Sequence, residues 1–344
     1  MKAARLYAPR SLRVEEIEVP EVGDWEILVE VKAALTCGTD LKMYRRGHPL
    51  AKLPLTMGHE FAGVVAKVGP RVEKFKEGMR VVAANSAPCN ACFYCKRNKP
   101  NLCENIEEDM IGFTSDGAYA RYVKVPAKIV KQNAHELPSR VTFEEAAILE
   151  PLACVVHGNE LLGLEVGSKV AIIGSGPIGL LHLQLAKAEG CEAIAIDLSE
   201  DRLKVAEELG ADAVVNASEV NPVEEVKKMT GGRGVDAAIE AVGLPETWRE
   251  AVLMARKGGA VLLFGGCKPG TEAPLDTKHV HYGELTIKGA FHHTPLSVER
   301  ALNLIASKLI NVDKLVTHRM GLSDVERALG LMAEGKAVKV AITP

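Results

Sequence analysis

The chain has 344 residues, 47% of them hydrophobic and 25% charged, and a formal net charge of −3. That length favours two domains of ordinary size, each able to bury a core of its own. A slightly acidic chain with few aromatics offers no basic field for a phosphate backbone and no base-stacking platform, which excludes nucleic acid as a partner; with no run of about eighteen apolar residues and no signal-peptide pattern at Met1–Arg10, it reads as cytoplasmic, with no membrane partner.

Over the first 125 residues, short β-branched and often alternating segments broken by Gly and Pro predict strands at Ala3–Tyr7, Leu12–Val19, Glu26–Ala33, Gly63–Val68 and Arg80–Ala83. This half reads as β-rich, barrel-like and helix-poor. From Leu137 to Leu162 the apolar pattern turns helical, and from Lys169 to about Gly289 strand and helix alternate. Lys169–Ile173, Ala193–Asp197, Ala213–Asn216, Asp236–Glu240, Ala260–Phe264 and Leu285–Lys288 are buried-strand candidates, the pattern of a doubly wound parallel α/β sheet. The tail predicts a helix near Leu296–Ser307 and another opened by Ser323 and Glu326 as a capping box and closed at Gly335. These changes of texture divide the chain into a catalytic domain of residues 1–145 and 296–344 and an inserted nucleotide-binding domain of 146–295, with the active site expected in the cleft.

Strand Lys169–Ile173 runs directly into Gly174-Ser175-Gly176-Pro177-Ile178-Gly179, which opens an apolar helix. Gly174 allows a tight turn, Gly176 lets a pyrophosphate approach the backbone, and Gly179 permits close packing of helix on strand. The phosphates would meet free N–H groups at the helix N-terminus. The next strand ends at Asp197, whose carboxylate suits ribose hydroxyls and repels a 2′-phosphate, so NAD is favoured over NADP; Arg202 lies close enough in sequence to soften that repulsion. Val242, Phe264 and Gly265, at the carboxyl ends of later strands, are expected to border the cofactor.

Cysteine usage points to metal. Cys89, Cys92, Cys95 and Cys103 gather four thiolates on one short lobe, a donor set that suits tetrahedral Zn²⁺ with no open position and hence a structural role. Cys37, His59, Glu60 and Glu150 are individually ordinary, yet together, beside a dinucleotide motif, they suggest a catalytic metal.

Taken jointly, Cys37-Gly38-Thr39-Asp40, Gly58-His59-Glu60-Phe61-Ala62-Gly63, the four-cysteine lobe, Glu150-Pro151-Leu152 and the glycine-rich turn with Asp197 make the sequence resemble the zinc-dependent medium-chain alcohol dehydrogenases over essentially its whole length. The sorbitol (polyol) branch is the nearest. That resemblance implies a Rossmann domain joined to a β-rich GroES-like domain, two zinc ions per chain, and a homotetramer or homodimer. It makes Cys37 and His59 ligands of the catalytic zinc, with Glu60 and Glu150 supplying carboxylate oxygen directly or through water. The simple-alcohol branch usually has cysteine where Glu150 stands, so the glutamate points to a polyol or sugar-like substrate; L-threonine, or a simple secondary alcohol or diol, is the second choice.

A Zn²⁺ with one open position acts as a Lewis acid on the substrate hydroxyl, and the nicotinamide takes the hydride, giving a ketone. By the same resemblance Thr39 would relay the proton. Many relatives continue that relay to a histidine where this chain has Lys42, so the proton is expected to leave through cofactor ribose and water, with His48 as the other base. His292 occupies a position where the sorbitol branch often has arginine and is a candidate contact for a substrate hydroxyl. A reading of another class is a zinc-free reductase or a binding protein that keeps the fold as a scaffold.

Overall fold

The computed structural model describes residues 1–344. They form two compact units, one of residues 1–153, 293–308 and 315–344, the other of 154–292 and 309–314. The first unit opens with β1 (Lys2–Ala8), β2 (Ser11–Glu16), β3 (Ile27–Leu35), α1 (Gly38–Arg46), β4 (Leu55–Thr56), β5 (Glu60–Val68) and β6 (Arg80–Ala83). A loop carrying the cysteine quartet leads to β7 (Tyr122–Val125), α2 (Ala127–Gln132), β8 (Ala134–Glu136) and α3 (Phe143–Ala147). Helix α4 (Leu149–Leu162) carries the chain into the second unit. There follow β9 (Lys169–Ile173), α5 (Pro177–Ala188), β10 (Glu192–Asp197), α6 (Glu200–Glu208), β11 (Ala213–Asn216) and α7 (Pro222–Met229). The unit continues with β12 (Val235–Glu240), α8 (Pro245–Met254), β13 (Ala255–Leu263), α9 (Thr277–Tyr282) and β14 (Thr286–Gly289). Helix α10 (Pro295–Ala306), β15 (Val316–Gly321), α11 (Val325–Ala333) and β16 (Lys339–Thr343) complete the first unit.

In the first unit the main sheet runs β15, β16, β3, β5, β6, β8, with β7 also pairing β3; a smaller sheet runs β2, β1, β4. In Ile27–Leu35 alternation puts Ile27, Val29 and Val31 into a core shared with Phe61, Val65, Val81 and Tyr119, and a register shift between Val31 and Ala33 brings Ala34 into the same core. The second unit is a six-stranded parallel sheet in the order β11, β10, β9, β12, β13, β14. This is the doubly wound order, in which the chain switches direction between β9 and β12 and leaves a ligand crevice at the strand ends. Strands β9 and β10 are buried along almost their whole length, as expected of a sheet covered on both faces. No helix is long and apolar enough to cross a membrane.

Two local expectations are corrected. The helical stretch over Leu137–Leu162 is two helices. Thr142 and Glu145 form the capping box that starts α3, each side chain bonding the other's backbone N–H (3.2 and 2.8 Å), and the run breaks at Ile148 before α4. Pro151 is tolerated because the first turn of α4 needs no N–H from it. Ser323 and Glu326 do not cap α11: Ser323 lies within a 3₁₀ turn, Leu322–Asp324, and the Glu326 carboxylate instead accepts a hydrogen bond from the Tyr44 hydroxyl. The first 125 residues are helix-poor as expected, their one α-helix being α1 after Cys37, whose N-cap is the cysteine itself.

Candidate functional site

Cys37 ends the loop after β3 and caps α1. Its Sγ accepts from Thr39 N–H (3.4 Å), while its own N–H donates to Asp40 Oδ2 (3.0 Å), a capping box that fixes the sulfur at the helix mouth. Asp40, wholly buried, also accepts from the Tyr119 hydroxyl (2.7 Å) and meets His59 Nδ1 (3.1 Å). Burial works against the Asp40 carboxylate, but His59, Tyr119 and the Cys37 N–H outweigh it and hold its pKa below the usual value. An ionised carboxylate only accepts, so His59 donates Nδ1–H to it, and whenever the ring is neutral its lone pair sits on Nε2. Gly58, at φ +93°, lets the chain turn beneath Tyr119; a Cβ there would lie 2.6 Å from the ring.

His59 and Glu60 open β5 beside Cys37, and one donor atom from each of Cys37, His59 and Glu60 lies within 4.8 Å of the others. Glu60 is fully buried: Oε2 pairs with Lys339 Nζ (2.5 Å) and Oε1 has no partner. Burial, partly offset by Lys339 and His59 and reinforced by Glu150, pushes Glu60 up to about 7. Burial also opposes the His59 imidazolium, yet Asp40 and Cys37 overcome it and raise its pKa well above 6.5. A thiol, an imidazole and an orphaned carboxylate oxygen that together draw a proton inward are suited to a divalent cation, and the soft and nitrogen donors suit zinc. The Phe113 ring walls this cluster, 5.1 Å from His59 and 5.2 Å from His48. Glu150, in the first turn of α4, is buried; Thr39 is partly buried, and Lys42 is exposed on α1.

In the cysteine lobe, donor atoms of Cys89, Cys92, Cys95 and Cys103 lie within 4.8 Å of one another. Backbone N–H groups converge on the sulfurs: Ala91 and Cys92 on Cys89 (3.4 and 3.3 Å), Cys89 and Asn105 on Cys103 (3.2 and 3.3 Å). On Cys89 and Cys92 such donors prevail and lower the thiols, Cys92 to about 6, whereas burial outweighs them at Cys103 and pushes Cys95 up to about 12. Asn90 and Asn98 take positive φ at the tight turns of the lobe. Four sulfurs with converging donors fit a closed tetrahedral zinc site.

In the second unit, Gly174 adopts φ +97°, and a Cβ on Gly179 would lie 1.7 Å from the Gly174 carbonyl oxygen, so both positions demand glycine. Gly176 caps α5, with Pro177 and Ile178 in the first turn, and a Cβ on it would meet nothing within 4 Å. The space above the turn is open, as a pyrophosphate cradle requires. Both Asp197 oxygens take backbone N–H groups, Ser175 on Oδ2 (2.7 Å) and Ser199 on Oδ1 (3.0 Å), and Arg202 Nη1 lies 3.8 Å from Oδ2. Val242 is exposed at the end of β12, and Gly265 stands so close that a Cβ would meet Gly243 N at 2.3 Å. Phe264 turns its ring edge-on to His182 (4.7 Å). His292 holds a left-handed backbone (φ 64°) beside the Phe291 ring.

Sequence reasoning missed Asp40, Tyr119, Lys339 and Glu240. Asp40 had a signal, an acid three residues after an N-cap, whereas Tyr119 and Lys339 had none. Glu240, buried at the end of β12, accepts from Val242 N–H, Gly243 N–H and the Thr247 hydroxyl (2.9, 2.7 and 2.7 Å) and so shapes a loop at the crevice.

The zinc-binding dehydrogenase family profile matches residues 177–307, and the alcohol dehydrogenase GroES-like domain profile matches 23–138. A sorbitol dehydrogenase of Bacillus subtilis is 33% identical over 350 residues, covering 100% of this chain and 97% of that protein. An L-threonine 3-dehydrogenase of Symbiobacterium thermophilum is 36% identical, covering 100% and 98%. A crystal structure of a zinc-binding dehydrogenase from Sinorhizobium meliloti bound to NADP superimposes with a TM-score of 0.94 at 34% identity, covering 100% and 99%.

Proposed function

The chain belongs to the zinc-binding medium-chain alcohol dehydrogenases, NAD(P)-linked oxidoreductases acting on CH–OH donors, and we propose that within this family it oxidises a secondary hydroxyl of a polyol or sugar-like substrate to a ketone with NAD as acceptor. The observation that carries this is the convergence of Cys37, His59 and Glu60 donor atoms within 4.8 Å. Cys37 and His59 hold the catalytic zinc, Glu60 or Glu150 completes the set, and Cys89, Cys92, Cys95 and Cys103 hold a second, structural ion. Zinc at the first site supplies the Lewis acidity that makes an alcohol easier to deprotonate, and the nicotinamide supplies the hydride acceptor.

The protein's own groups do the rest. Asp40 and Tyr119 fix the ring and tautomer of His59. The Thr39 hydroxyl takes the substrate proton and passes it on, with cofactor ribose and water beyond it, since Lys42 stands exposed where many relatives have histidine. Gly174, Gly176, Pro177, Ile178 and Gly179 cradle the pyrophosphate; Asp197 takes the ribose hydroxyls, and Val242, Phe264 and Gly265 border the cofactor. Asp197 supports NAD, while Arg202 lies near enough to accept a 2′-phosphate, as the NADP-bound relative invites. His292 contacts a substrate hydroxyl.

Glu150 and the sorbitol dehydrogenase relative favour a polyol; the threonine dehydrogenase relative keeps L-threonine as the second reading. Polyols, sugars, 2,3-butanediol, simple secondary alcohols and L-threonine, each offered with NAD and with NADP and read by reduced-cofactor absorbance, decide between them. Zinc analysis decides the metal reading: about two ions per chain support it, about one leaves only the cysteine lobe filled. Full turnover in Thr39→Val removes Thr39 from the scheme, and an unchanged KM in His292→Ala removes His292. Strand β14, at the open edge of its sheet, is proposed to pair across a two-fold axis in a homodimer or homotetramer, which light scattering tests.

A further inference from the structure

The first unit carries a cleft in which the Cys37 cluster takes no part. It measures about 690 Å³ and lies between the turn at Trp25 before β3, residues 71–74 after β5, the start of the cysteine lobe and α2. That size is typical of a small-molecule site. Val72, Pro88, Val130 and the Trp25 ring, 53% exposed, give it apolar walls. The Arg71 guanidinium, 5.8 Å from the centroid of the Trp25 ring, steadies the indole. Gln132 ties α2 to the lobe, its Nε2 donating to the Pro88 carbonyl and its Oε1 accepting from Asn90 Nδ2 (both 2.8 Å). Charge on the lining is one-sided, with Arg71, Lys74, Lys128 and Lys131 against Glu73 alone. Arg71 is answered by Asp24 (3.3 Å) and Lys128 by Glu108 (3.2 Å). Lys74 and Lys131 have no carboxylate at ion-pair distance. Lys74 Nζ rests instead on the Ala134 carbonyl (2.5 Å), 5.3 Å from the centroid of the Phe75 ring, and burial lowers its pKa.

We propose that this cleft binds an amphipathic organic carboxylate, its apolar body against Trp25, Val72 and Val130 and its charge against the two lysines that lack an acid. A desolvated ammonium without a counter-charge is unfavourable, and an arriving carboxylate relieves it. An inorganic anion would answer the ammonium groups but leave the walls wet. A neutral apolar molecule would cover the walls but leave the ammonium groups as they are. Only a ligand with both parts uses the whole lining, and burying its body adds the hydrophobic gain that an exposed ion pair lacks. The cleft shares no residue with Cys37, His59, Glu60 or Glu150, so the inference does not depend on which alcohol the enzyme oxidises.

Trp25 lines the cleft, so in a full-length Trp248→Phe background, where it is the one tryptophan left, its fluorescence reports on this site. The probes are octanoate, 1-octanol and inorganic phosphate, with the octanoate Kd checked by calorimetry on the wild type. Octanoate should change the Trp25 emission saturably, and 1-octanol and phosphate at the same concentrations should not. Lys74→Gln/Lys131→Gln should weaken octanoate binding about tenfold, because two charged contacts are lost while the walls stay. If that variant does not fold, Lys131→Gln alone, whose ammonium bonds nothing in the protein, should weaken it about threefold. No octanoate binding by either method, a response that fails to saturate, an equal response to 1-octanol or to phosphate, or an affinity unchanged by the lysine substitutions overturns the proposal. Trp25 emission that ignores octanoate but shifts as the protein is diluted overturns it too, and assigns this face to a second copy of the chain.

Discussion

His182 gives the second unit a defined weakness to acid. It lies on α5 with 0% exposure, Nδ1 2.7 Å from Asn159 Oδ1, its ring edge-on to Phe264 and Nε2 without a partner. Burial pushes its pKa down from 6.5 to about 3. Because the folded value is the depressed one, its contribution to stability is complete above 6.5 and drains away as pH falls from 6.5 towards 3. Each pH unit in that window costs about 1.4 kcal/mol, so about 2 kcal/mol is gone by pH 5. Glutamine at 182 keeps a donor for Asn159 and cannot titrate. The chain has two tryptophans, Trp25 in the first unit and Trp248 in the second, so a Trp25→Phe background makes fluorescence report on the second unit alone. Urea unfolding at about pH 7 and pH 5 should show the His182 protein losing about 2 kcal/mol more than His182→Gln. Losses that agree within about 0.5 kcal/mol would refute the assignment of that sensitivity to His182.

Three further outcomes follow from the sites. Asp40→Asn removes the carboxylate that fixes His59 and should weaken retention of the catalytic zinc about 10- to 100-fold in chelator competition; a change under about twofold contradicts that role. Gly176→Ala adds a Cβ that meets no protein atom, so its melting temperature should hold, while NADH binding followed by fluorescence should weaken about tenfold, or about 1.4 kcal/mol. Equal affinity would mean that no phosphate approaches there. Cys103→Ser should bring zinc content down from about two ions to about one and lower the melting temperature, and unchanged zinc content would show the lobe is not a metal site.

The parallel sheet was legible because its signals are local. Apolar strand runs, the glycine trio and Asp197 lie within one βαβ unit, and Gly174 and Gly179 are needed for backbone reasons that do not depend on distant contacts. The cysteine quartet was legible from its short spacing, whereas Cys37 and His59, each ordinary alone, stood out only together, beside the dinucleotide motif and through the family resemblance. The partners that tune them were not. Tyr119 reaches Asp40 across 79 residues and Lys339 reaches Glu60 across 279, and neither has a periodicity or spacing that marks it. The helix after Cys37 was hidden because thiol is an unusual N-cap, and the break before α4 because the apolar pattern continues through it.

Sheet register explains why such distant residues meet. Strand β3 lies between β5 and β16, with Leu35 opposite both Glu60 and Ala341. The end of β3 is thus the common edge at which Cys37 leaves the sheet, His59 and Glu60 enter it, and Lys339 begins the last strand. Side chains alternate across a strand, so a one-residue slip of β5 against β3 would turn Glu60 to the opposite face and strand Lys339 in the core without its partner. The buried Glu60–Lys339 pair and the Thr36–Val340 bonds are satisfied in a single register only. The Glu60–Lys339 pair therefore helps to fix the strand pairing that brings Cys37, His59 and Glu60 together.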